Sequence, residues 1–98
     1  MLEDFTFETF SKRIGDRFRI VARDSDPLAA ELIDATAGEG VPGSRAGGPF
    51  SLVFRGPLEP VLPQRIYRLE NESLGAFELF IVPIGPDDAG MQYEAVFA

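Results

Sequence analysis

Apolar residues recur at every second position over most of this chain. In 17–22, Phe18, Ile20 and Ala22 fall on one side, with Arg17, Arg19 and Val21 on the other. In 50–55, Phe50, Leu52 and Phe54 oppose Ser51, Val53 and Arg55. The alternation returns in 65–70, where Arg65, Tyr67 and Leu69 oppose Ile66, Arg68 and Glu70. In 76–82, Phe77, Leu79 and Ile81 oppose Phe80 and Val82, and in 92–97, Tyr93, Ala95 and Phe97 oppose Gln92, Glu94 and Val96. Successive side chains of a strand point to opposite faces, so a period of two predicts five half-buried strands. Clusters rich in Pro, Gly, Asn and Asp at 24–27, 38–49, 56–63, 71–75 and 83–90 separate these runs. That spacing predicts a small antiparallel barrel or sandwich rather than βαβ units. The break at 71–75 is only long enough for a hairpin turn, which pairs the third run with the fourth.

Two segments do not fit a simple period of two. Near the N-terminus, Thr6 is placed to cap a short helix, with Phe5 and Phe10 at its staple positions and Gly15 as its left-handed terminator. Phe7, Phe10 and Ile14 then share one face, Glu8 lies near the positive end, and Lys12 and Arg13 lie near the negative end. A strand through Phe5 and Phe7 is the competing reading. Segment 27–37 carries two patterns at once. Asp26, Pro27 and Gly38 bracket it as a helix, whereas Leu28, Ala30 and Leu32 alternate as a strand. The residues alone lean slightly to the helix, and both readings stay open at this point.

At 98 residues the chain is long enough for one domain, taken here as 1–98. Nine Phe and a hydrophobic share of 45% suffice for a packed core. Phe18, Ile20, Phe50, Leu52, Phe54, Leu69, Phe77, Leu79, Tyr93 and Phe97 are expected to supply much of it. Cys, His and Trp are all absent. Their absence removes disulfides, thiolate and imidazole metal ligands, Cys nucleophiles and His bases, so no cofactor is expected.

Nine Lys plus Arg stand against sixteen Asp plus Glu, a net charge of −7. That balance argues against nucleic acid, whose phosphates demand clustered cations. Eight of the nine cations are Arg, which favours fixed ion pairs and protein interfaces. No basic leader precedes an apolar run, and no apolar stretch approaches the roughly 20 residues of a membrane helix. The expectation is synthesis in the cytoplasm without membrane insertion, with export only inside a larger assembly.

The motifs with chemical potential are weak. Gly38-Glu39-Gly40-Val41-Pro42-Gly43 matches a dinucleotide loop in its glycines, but the run through Gly47, Gly48 and Pro49 lets no helix start. It reads as a surface loop. Asp24-Ser25-Asp26 and Asp87-Asp88 with Gly90 lack calcium-loop spacing and read as turns in which Asp caps its own backbone. Sixteen acids guarantee chance carboxylate pairs, and Ser11-Lys12 lacks the spacing of a Ser-Lys nucleophile. Asn71-Glu72-Ser73 has the glycosylation pattern and reads more simply as a turn.

Arg55 and Gln64 are the polar residues least explained as plain surface. Arg55 is expected to pair with Glu94 or Glu78. Together with Tyr67, Tyr93 and Glu94 they form the candidate interaction set. Several strands are apolar on their second face too, through Val21, Val53, Ile66, Phe80, Val82 and Val96. So small a domain cannot bury both faces alone, which implies a protein partner or self-association. The last strand would also leave an edge able to pair with another copy. The reading is a non-enzymatic structural or assembly module. The alternative is a small-ligand-binding barrel with Arg55, Tyr67 and Tyr93 lining its mouth.

The stretch 50–97 carries a series of motifs. Phe50, Ser51, Leu52, Phe54, Gly56 and Pro57 give F-S-L-x-F-x-G-P, and Pro63, Gln64 and Tyr67 give P-Q-x-x-Y. Leu74, Gly75, Phe77, Leu79, Phe80, Val82 and Pro83 give L-G-x-F-x-L-F-x-V-P, and 93–97 read Y-E-A-V-F. In these the chain resembles a family of uncharacterised bacterial proteins of about this length. Thr9, Phe10, Gly15 and Phe18 match more loosely. The resemblance implies a strand at 28–36, making six with one short N-terminal helix. Members of that family resemble companions of phage-tail-collar-like proteins, which implies a part in a tail-like or fibre-like assembly.

Overall fold

The computed structural model describes residues 5–22, 26–38 and 48–97. A one-turn helix, α1 (Phe7–Ser11), precedes six strands: β1 (Arg17–Val21), β2 (Leu28–Ala37), β3 (Phe50–Gly56), β4 (Arg65–Asn71), β5 (Gly75–Pro86) and β6 (Met91–Phe97). All neighbours pair antiparallel in the order β1-β2-β3-β6-β5-β4, and β4 pairs back with β1 to close a barrel. Strands β1 to β3 form one meander and β4 to β6 another. Residues 57–64 join them, and β3 and β4 lie on opposite sides of the ring. This connection therefore crosses one end of the barrel.

Closure corrects the expected free edge, because β6 lies between β3 and β5. Segment 27–37 is a strand from Leu28 onward. Its helix signals lose to pairing on both sides, with Arg17 opposite Glu31 and Ala35 opposite Leu52. Ala30 and Leu32 are buried, with Ala29 and Glu31 exposed beside them. A bulge between Leu32 and Asp34 bends β2. The expected break at 83–90 is also corrected at its start. β5 runs to Pro86, with a bulge between Pro83 and Gly85, where φ is +119° at the glycine. A bulge accommodates a proline that a regular ladder would reject. Residues 75–81 pair with β4, and the continuation from Val82 pairs with β6.

The N-terminal helix is shorter than the pattern predicts. The Thr6 amide donates to Thr9 Oγ1 at 3.0 Å, half of a capping box. The helix stops at Ser11, so Ile14 leaves the helical period and is 50% exposed rather than buried. Gly15 has φ +98°, the left-handed position expected of it. Phe10 seals this end of the barrel, its ring centroid 5.8 Å from Phe50, 5.6 Å from Phe97 and 6.1 Å from Phe77. Phe5 adds edge contacts to Phe10 at 5.3 Å and Phe77 at 5.1 Å.

All ten residues expected in the core are buried, joined by Phe10, Ala30, Leu32, Leu62, Tyr67, Ile81 and Ala95. At 71–75 the hairpin forms as expected. Asn71 Oδ1 accepts the amides of Ser73 and Leu74, both at 2.9 Å, and its Nδ2 donates to the Arg17 carbonyl at 3.0 Å. Gly75 at φ +81° completes the turn.

Candidate interaction surface

The five candidate residues do not converge on one site. Tyr67 and Tyr93 point into the barrel. Tyr93 is fully buried, and its hydroxyl accepts the Leu62 amide at 2.9 Å. The Tyr67 hydroxyl donates to the Pro63 carbonyl at 2.6 Å. Burial pushes the Tyr67 phenol above its usual range, partly offset by Arg65. Neither ring lines a mouth, which corrects the placement expected of them. Both hydroxyls instead fasten the backbone of residues 57–64 across the barrel end, and buried Leu62 plugs it.

Arg55 pairs with neither Glu94 nor Glu78. Its Nε donates to Asp87 Oδ2 at 2.8 Å, and its Nη2 donates to the same oxygen. Asp87 sits in the β5–β6 turn, where its Oδ1 accepts the amides of Ala89 at 2.8 Å and Gly90 at 2.9 Å. This is the self-capping turn that the sequence predicts for the Asp87-Asp88 cluster; Asp24 and Ser25 of the other cluster lie outside the described residues. The Arg55 hydrogen bonds, helped by the Ala89 amide, hold the Asp87 carboxyl below its usual range, and Asp87 raises the Arg55 guanidinium in turn. Beside this pair the backbones nearly touch: a Cβ on Gly90 would lie 2.1 Å from the Gly56 carbonyl oxygen. Arg55 thus fastens the end of β3 to the β5–β6 turn, a structural role.

Gln64 is exposed where the crossing segment meets β4. Glu94 lies half-buried on the outside of β6, opposite Val53 of β3 and Val82 of β5.

A different surface emerges from the second faces of the strands. Ile66 and Phe80 lie directly opposite each other on β4 and β5, 62% and 50% exposed. Val96 on β6 is 66% exposed. Val21, Val53 and Val82, also expected outside, are half-buried. Next along the hairpin from Ile66 and Phe80, on the same face, Arg68 lies opposite Glu78. Arg68 Nε donates to Glu70 Oε2 at 3.1 Å, and Glu70 also lies 3.7 Å from Arg19. Leu58, Val61 and Ile84 are further exposed apolar side chains. The loop pair Leu58 and Val61 carries no period that strand patterning could have read. Among the described residues, no helix is long and apolar enough to cross a membrane.

The fold and these surfaces define a small closed antiparallel β-barrel whose interior is occupied by its own side chains and whose apolar excess lies outside. A family profile, a domain of unknown function (DUF6916), matches residues 5–97, and the chain belongs to that family. No curated protein and no solved structure matches the chain.

Proposed function

We propose that this chain is a non-catalytic assembly module that binds other protein through the outer face of its barrel. The observation that carries the reading is the exposure of Ile66, Phe80 and Val96 on strands whose inner faces already fill the barrel. Such apolar side chains gain most when another protein covers them. The resemblance in 50–97 favours a tail-like or fibre-like assembly as the setting, with the chain as a subunit or accessory. In this reading the chain is made in the cytoplasm and leaves the cell only within that assembly.

The test is the size of the native species in extracts of cells that make it. The chain is expected to migrate well above its 10.7 kDa, together with tail or fibre components. A Phe80→Asp variant is expected to migrate alone. A wild-type chain that always migrates alone, or a Phe80→Asp chain that stays in the large species, overturns the proposal.

A further inference from the structure

Accepting the outer face as a docking surface, we infer that its β4–β5 part docks a second copy of this chain across a two-fold axis running along the strands. The hairpin register places Ile66 opposite Phe80 and Arg68 opposite Glu78 on one outward face. Rotation by 180° about an axis parallel to the strands, midway between β4 and β5, lays each β4 over the other copy's β5. Ile66 then meets Phe80 of the second copy, and Arg68 meets Glu78, each contact made twice. An isologous interface needs this kind of self-complementarity.

The charges select this arrangement. Arg68 leans on Glu70 of its own strand, and its side chain is still 58% exposed. The Glu78 side chain is exposed and makes no hydrogen bond or ion pair among the described residues. It is a carboxylate without a partner beside an apolar pair, and the two-fold brings a guanidinium to it. An axis across the strands through Ile66 and Phe80 would instead set Glu78 over Val82 of the second copy. That orientation covers Glu78 without bringing a guanidinium to it, so it loses to the axis along the strands. A barrel wall is convex and only two strands meet, so the interface falls at or below the standard size of about 800 Å² per partner. The association is therefore weak and reversible.

Sedimentation equilibrium of the purified full chain, from about 1 μM to about 500 μM, tests the inference. The expected result is a reversible monomer–dimer equilibrium. Arg68→Glu and Glu78→Arg are each expected to weaken self-association at least about tenfold, because each places like charges together at two points. An equimolar mixture of these two variants is expected to dimerise again, since every facing pair then carries opposite signs. Ile66→Ser is expected to weaken the dimer without changing the circular dichroism spectrum. Arg68→Gln and Glu78→Gln give the same direction with a smaller effect, should either charge reversal disturb folding. A chain that is monomeric over the whole range overturns the inference, and so does a variant mixture that stays monomeric while the wild type dimerises. If the purified chain is monomeric but Phe80→Asp still dissolves the large species in extracts, the docking surface stands and the second copy is not its occupant. A dimer in purified protein with no larger species in extracts has the opposite meaning.

Discussion

The two ends of the barrel solve one problem by different means. At the helical end, Phe10 fills the opening with ring contacts to Phe50, Phe77 and Phe97, backed by Phe5. At the other end a length of irregular backbone lies across the opening. There a single apolar side chain, Leu62, is supplemented by hydroxyls from Tyr93 and Tyr67. Apolar closure gains from area and tolerates approximate geometry. Hydroxyl closure gains little net energy per bond but exacts a large penalty when one partner is lost, because a buried amide is left without water.

This contrast is open to measurement. Phe10→Ala removes a fully buried ring from the centre of the aromatic cluster. It is expected to cost about 3–5 kcal/mol in denaturant unfolding, enough to unfold a marginal domain. Tyr93→Phe keeps the ring and strands the Leu62 amide, and is expected to cost about 1–3 kcal/mol by the same measurement. Double substitution with Leu62→Ala then gives less than the sum, because the two residues close the same opening. Tyr67→Phe is expected to cost about 0.5–1.5 kcal/mol, since the Pro63 residue it bonds is exposed and water can replace the hydroxyl.

The smallest effects appear as pH dependence. Tyr67 has a folded pKa above the unfolded value of about 10. The unfolded chain loses that proton first, so this contribution to stability is full below pH 10 and declines as pH rises toward the folded value. Tyr67→Phe should flatten the alkaline side of a stability profile. Asp87 behaves oppositely. Its folded pKa lies below the unfolded value of about 3.9, so its contribution is present above that pH and is lost as pH falls through the folded value. Asp87→Asn should remove that acid-side decline. An unchanged profile would show that the burial of Tyr67, or the hydrogen bonds of Asp87, carries no linkage.

The two ends also differ in how far the sequence discloses them. Thr6, Phe5, Phe10 and Gly15 are local signals, and the helical plug follows from them even though the helix ends early at Ser11. The other plug has no such signature. Leu62 and Tyr93 are 31 residues apart, so nothing in either neighbourhood announces their bond. The alternation therefore puts Tyr67 and Tyr93 on their correct inner faces while leaving the task of their hydroxyls unread. Arg55 shows the same limit. Its outward direction follows from strand phase, but the choice among nearby acids is made by the β5–β6 turn that presents Asp87. At 27–37, local helix signals are outweighed by ladders to β1 and β3, which only the assembled barrel supplies. The Ile66–Phe80 and Arg68–Glu78 pairs were within reach, because a hairpin turn of known length fixes its register.

The crossing segment has one more consequence. It is the sole covalent link between two three-stranded halves, and its eight residues must reach over the full width of the ring. Cutting the chain within it would leave two complementary three-stranded pieces, tied only by the β1–β4 and β3–β6 ladders and by the core that both halves fill. Such pieces are expected to stay joined at high concentration and to part on dilution, as an association of two molecules must.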